Sequence, residues 1–138
     1  MIQENILLEA LKSKGYKVNE SVLLGEVKTL HKSLEEVLLE KSILSEEDLA
    51  KIKAEILKLP VKFFGKNETI DREILNIIDE SAARNYKIAC FAKDDKAIHV
   101  AALYPEDNKV FEAISFISRQ LGLKPQLYVT TQSDLQRA

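Results

Sequence analysis

Disulfides, metal clusters and membrane spans all lack raw material in this chain of 138 residues. There is one cysteine, Cys90, so no intrachain disulfide can form. The two histidines, His31 and His99, come without HExxH, CxxC or any other ligand spacing, which leaves no metal motif. The four glycines, Gly15, Gly25, Gly65 and Gly122, stand too far apart to let backbone amides cradle a phosphate, which excludes Walker A and GxGxxG loops. Apolar runs are only a few residues long, so nothing spans a bilayer. Residues 1–60 contain no arginine, and Lys plus Arg total 20 against 22 Asp plus Glu. With no basic stripe to displace counterions, nucleic acid is not an expected partner. Glu4 and Glu9 fall where a signal peptide needs an apolar run, which points to a cytoplasmic, reducing setting.

What remains is an ordinary globular composition, 46% hydrophobic and 30% charged, enough for a core without metal or disulfide. Up to Pro60 the apolar residues keep helical spacing in four stripes. These are Ile2, Ile6, Leu7, Ala10 and Leu11; Leu23, Val27 and Leu30; Leu34, Val37 and Leu38; and Leu49, Ile52, Ile56 and Leu59. Asn19, Ser33 with Glu36, and Ser45 with Asp48 are placed to cap the second, third and fourth helices. Gly15 suits a left-handed end to the first, and Gly25 weakens the second by about 1 kcal/mol.

Beyond LPVKFF the pattern changes. Ile70, Ile74, Ile77 and Ile78 continue a helical stripe after Thr69, and DESAARNY extends it or begins another turn. YKIACFAK and AIHVAALY, separated by DDK, predict an antiparallel hairpin that Pro105 stops. Alternation puts Ile88, Cys90 and Ala92 on one face with Ile98, Val100 and Ala102 or with their neighbours. Val110, Phe111, Ile114, Ile117 and Leu121 predict an amphipathic helix over that face, closed by Gly122. QLYVTT reads as a third strand and SDLQRA as the start of one more helix. The expectation is an α+β chain with a helical lobe over 1–60 and an α+β lobe over 61–138. The second lobe holds a three-stranded sheet of a hairpin plus one strand, and LPVKFF packs as a short bridge rather than a free linker.

No residue constellation for catalysis accompanies this frame. Glu35 and Glu36, Glu46 to Asp48, and Asp94 with Asp95 fall at helix starts or turns, where capping and dipole roles account for them. His31 sits at a helix end and His99 reads as the outward residue of a strand. Cys90 reads as a small buried hydrophobe. The chain is therefore not expected to be an enzyme or to need a cofactor.

The stretch SLEEVLLEKSILSEEDLAKIKAEILKLP, with Leu34, Leu38, Leu39, Ile43, Leu44, Ser45 and Leu49 at their spacing and KLP closing it, resembles the amino-terminal domain of type II secretion and type IV pilus assembly ATPases. ESAARNY, the predicted hairpin and FEAISFISRQLG continue the likeness, and Leu7, Leu11 and Gly15 form a weaker first copy of the same unit. The resemblance implies a docking and regulatory domain joining a motor to an inner-membrane assembly component, cytoplasmic and peripheral to the membrane through that partner. SDLQRA stops in mid-helix, so the motor domain, with its Walker motifs, is expected after Ala138. Some members of the family bind cyclic di-GMP through an Arg and two Gly in each copy. Here Ser33 replaces the Arg, and Glu35 and Ser42 replace the glycines. In the first copy Ile6 and Leu8 stand at the Arg and first Gly positions, and only Gly15 survives. The dinucleotide site is expected to be lost, with degenerate binding as the alternative. Residues 1–60 are expected to carry the docking, with Leu24 and Leu39, outside the core stripes, as the candidate contacts.

Overall fold

A computed structural model describes residues 3–65 and 68–137. Ile2 and Ala138 lie outside the described residues. Four helices come first: α1 (Glu4–Ser13), α2 (Glu20–Leu30), α3 (Leu34–Glu40) and α4 (Glu46–Leu57). The predicted caps form. Asn19 accepts from the Val22 amide, Ser33 from Glu36 and Ser45 from Asp48, at 3.3, 3.2 and 3.1 Å. Each cap is worth about 1 kcal/mol. The helices bury Leu7, Leu11, Leu23, Leu34, Val37, Leu38, Leu49 and Ile52 in one apolar cluster. Ile6 and Leu30, expected in the same stripes, are instead exposed. Leu30 is the last residue of α2, and His31 beyond it turns the chain left-handed at φ 55°, so no further turn covers that side chain.

The second half holds α5 (Arg72–Leu75), α6 (Glu80–Tyr86), β1 (Ile88–Lys93), β2 (Ala97–Ala102), α7 (Asn108–Leu121), β3 (Lys124–Val129) and α8 (Gln132–Arg137). Of the two readings of the stretch after Thr69, the separate one forms: DESAARNY makes its own helix, and α5 takes in only Ile74 of the isoleucine stripe. Asp71 caps α5 by accepting from the Glu73 amide, and Asp79 caps α6 by accepting from Ala82. A carboxylate at each point satisfies free amides and restarts the helix, leaving Ile70, Ile77 and Ile78 outside it. Tyr86 ends α6 rather than opening β1, and β2 ends at Ala102, ahead of Pro105.

The sheet order is β1-β2-β3, with β1 antiparallel and β3 parallel to β2. Pro125 lies near the start of edge strand β3, where its missing N–H is tolerated. Ile88 pairs with Ala102 and Cys90 with Val100, and these residues join Ile98, Val110 and Ile114 in a second core under α7. Ala92 does not share that face. A bulge between Cys90 and Ala92 absorbs Phe91 and pairs Ala92 with His99, which moves Ala92 to the opposite side. Phe111 and Leu121, on the flanks of the α7 stripe, stay exposed.

LPVKFF packs as expected and does more. Val61 forms a parallel bridge to Val129, with the Lys62 amide donating to the Val129 carbonyl and the Val129 amide to Pro60, each at 2.9 Å. Phe64 is buried, and its amide donates to Asp134 of α8. Ala50 and Ala54 of α4 pack with Val129, joining the first helices to the sheet.

Candidate functional site

The turns after α1 and α3 have the same construction. The Tyr16 amide donates to the Leu11 carbonyl and Gly15 to Lys12; the Ile43 amide donates to Leu38 and Ser42 to Leu39. Gly15 has φ +90° and Ser42 φ +56°. Ser42 thus keeps the left-handed backbone that glycine adopts at least cost. The helices before these turns align, Leu7 with Leu34, Leu8 with Glu35 and Leu11 with Leu38, and all six residues are buried.

A carboxylate at the Glu35 position therefore enters the interior, where it meets Lys53 of α4. The Lys53 side chain is 2% exposed. Its ammonium donates to Glu35 Oε1 at 3.0 Å and to the Leu103 carbonyl at 2.7 Å. Glu106 Oε1 lies 3.5 Å away, and the Tyr104 ring centroid 4.8 Å. Burial raises the Glu35 pKa despite Lys53, which acts in the lowering direction. Burial, with Glu35, Glu36 and Glu106 nearby, also raises that of Tyr104. A cavity of about 70 Å³ beside the pair is lined by Glu36, Leu39, Glu46, Lys53, Tyr104 and Thr130, among others. Glu35 is thus more than the helix-start carboxylate the sequence suggested. Lys53 and Glu106 went unmarked there, although Lys53 falls between Leu49 and Ile56 on the apolar stripe of α4, a placement that signals a buried, paired lysine.

The two docking candidates are not equivalent. Leu24 of α2 is 37% exposed. Leu39 of α3 is half-buried against the helical core and lines the small cavity, so it is partly committed already. Residues not singled out as contacts expose more: Val22 at 47% and Leu30 at 51% on α2, with Ile6 at 43% on α1. Ion pairs Lys12–Glu20 and Lys41–Glu26, the latter at 2.7 Å, tie α2 to its neighbours.

Elsewhere, His99 lies between Tyr128 (Nδ1 to Oη, 3.0 Å) and Asp94 (Nε2 to Oδ2, 3.1 Å) on the sheet face opposite Ile98 and Val100. The hydrogen bond from His99 and those from the Lys96 and Ala97 amides hold the Asp94 pKa down to about 2. Cys90 is fully buried, and burial raises its thiol pKa. Open clefts of about 590 Å³ between α5, α6 and α8, about 610 Å³ between α6 and α7, and about 420 Å³ between the start of α1 and Ser33, Leu34 and Glu35 lie elsewhere on the described surface. Among the described residues no group of three His, Cys, Asp or Glu could hold a metal ion, and no helix is long and apolar enough to cross a membrane.

Comparison with known families matches residues 57–138 to the MshEN domain. The structure of MshE with cdg superposes with a TM-score of 0.78 at 20% identity, covering 94% of this chain and 93% of that one. The N-terminal domain of XpsE gives 0.67 at 20% identity, covering 99% and 94%. A second crystal form of that domain gives 0.56, also at 20% identity, covering 98% and 95%. No curated protein matches the chain in sequence.

Proposed function

The chain belongs to the MshEN domain family, and from that premise we propose that it is a non-catalytic docking and regulatory domain of a type II secretion or type IV pilus assembly ATPase. In this reading it links a C-terminal motor of the same protein to an inner-membrane assembly component, from the cytoplasmic side and without entering the bilayer. The observation that carries the docking role is the exposure of Ile6, Val22, Leu24 and Leu30 on the first two helices. A large apolar side chain left in water is normal singly; four within the first thirty residues of a small domain favour a protein contact. Charges of both signs around them, Lys12, Glu20, Glu26 and Lys41, suit a mixed protein surface better than an anionic lipid layer. Leu24 remains the proposed contact, with Leu39, half-buried against the helical core, the lesser one. Capture of the inner-membrane component by the wild-type chain and its loss in Leu24→Asp, with an unchanged melting temperature, is the expected result. Equal capture by both would refute the contact.

The second reading is a cyclic dinucleotide sensor. It draws support from MshE, whose structure holds cdg, and from the left-handed turn kept at Ser42. Against it, Ser33 is engaged in capping α3, and the Glu35 side chain is turned into the interior on Lys53, so neither offers the cationic group a phosphate needs. Calorimetric titration with cyclic di-GMP is expected to give no heat of binding. Saturable micromolar binding would overturn the docking-only assignment.

A further inference from the structure

We infer that Glu35, Lys53 and Glu106 form a proton-operated latch between the α3 and α4 helices and the loop that leads from β2 into α7. The inference is independent of which partner the domain serves. One ammonium holds acceptors from two separate parts of the chain: Glu35 on α3, and the Leu103 carbonyl with Glu106 on the loop. The two carboxyl side chains are 9% and 6% exposed, and neither oxygen of Glu106 accepts a hydrogen bond among the described residues. A single cation cannot neutralise two buried carboxylates, and with both ionised the junction would carry uncompensated negative charge in a medium that solvates it poorly.

The other charged groups acting on the cluster do not outweigh this: the amino terminus acts on Glu35 in the lowering direction, but burial prevails. Glu36 of α3 and Glu46 of α4 line the same cavity and add like charge. Glu46 accepts a hydrogen bond from Ser133 of α8. Lys87, the residue that ends α6, lies 5.7 Å from the Tyr104 ring centroid. The remaining relief is a proton on Glu35. With the proton on Glu35, the ammonium of Lys53 is left to Glu106 and the Leu103 carbonyl, and the junction is balanced. Loss of the proton makes the carboxylates repel and compete for Nζ. The contribution is therefore present at low pH and is lost as pH rises through the raised Glu35 pKa, the direction in which its burial acts. The hold of α3 and α4 on the loop before α7 then depends on proton occupancy.

The test is a pH titration of the Glu carboxyl carbons by NMR on the full chain, paired with melting temperature against pH. Glu35 is expected to titrate above the ordinary carboxylate range in the wild type and to move down in Glu106→Gln, which removes the like charge. The wild-type melting temperature is expected to fall by about 3 °C across that titration, and Glu35→Gln, which cannot lose the proton, is expected to abolish the fall. Titration of Glu35 in the ordinary range, a midpoint indifferent to Glu106→Gln, or an unchanged melting profile in Glu35→Gln would each overturn the latch. Should Glu106→Gln fail to fold, the wild-type titration and the Glu35→Gln profile decide.

Discussion

Helices α1 and α2 repeat the backbone plan of α3 and α4 but not its chemistry. Both pairs turn through the same two amide-to-carbonyl bonds, and both bury the residue after the first leucine. In the first repeat that residue is Leu8, and Val27, as far beyond its cap Asn19 as Lys53 is beyond Ser45, packs against the apolar core. In the second it is Glu35, and Lys53 answers it. At this buried position the first repeat is apolar, whereas the second forms an ion pair that also reaches the loop after β2. A fold can keep its geometry through either route, but only the charged one couples the helices to a distant loop.

The sharpest way to break this comparison is to move the charge. Leu8→Glu should cost on the order of 4 kcal/mol, because no lysine stands opposite to receive a buried carboxylate. Urea unfolding measures the loss, and Leu8→Glu combined with Val27→Lys should recover part of it. Equal stability of Leu8→Glu and the wild type would mean that the first repeat is looser than its burial indicates. Next in size, the turns can be exchanged. Ser42→Gly should stabilise the fold by about 1 kcal/mol by relieving the left-handed strain, and Gly15→Ala should destabilise it by a similar amount. Thermal unfolding of the two variants should move in opposite directions. Smaller still, Glu35→Leu copies the first repeat into the second and leaves Lys53 paired with Glu106, so a change under about 1 kcal/mol is expected at neutral pH. A collapse of several kcal/mol would show that Glu106 cannot stand in.

The least effect belongs to an exposed pair outside the repeats. Asp94, with its pKa held to about 2, favours the folded state above the ordinary aspartate range, and that contribution is lost as pH falls through about 2. Asp94→Asn should flatten the acid limb of a melting-temperature profile between about pH 4 and 2 and leave neutral pH nearly unchanged.

The helix caps and the repeat were legible because their signals are local. Asn19, Ser33 and Ser45 satisfy amides three residues away, and Gly15 needs only its own backbone. The leucine pattern that suggested the family lies mostly before Leu57, where the family match begins, so two different stretches point to the same assignment. The Phe91 bulge was not legible, since alternation alone cannot register an inserted residue. The break between α5 and α6 was legible only as one of two readings of DESAARNY, and the Asp79 cap decides for the separate helix. Of the junction, Lys53 was readable on its apolar stripe. Glu106 carries no local mark, because only the packing of its loop against α4 buries it. Of the exposed apolar residues on α2, Leu24 was placed outside the core stripes, whereas Leu30 was assigned to the core because periodicity does not reveal where a helix stops covering itself.

The bridge between Val61 and Val129 has a consequence for how the chain folds. It closes a loop that encloses β1, β2, α7 and most of β3, so the entropy of that closure has to be met before its hydrogen bonds give anything back. The helices of the first half, rich in short-range contacts, can form without it. The seam should therefore be among the later contacts made during folding and among the earlier ones released, with the amides of Lys62 and Val129 exchanging with solvent as a unit distinct from the cores on either side.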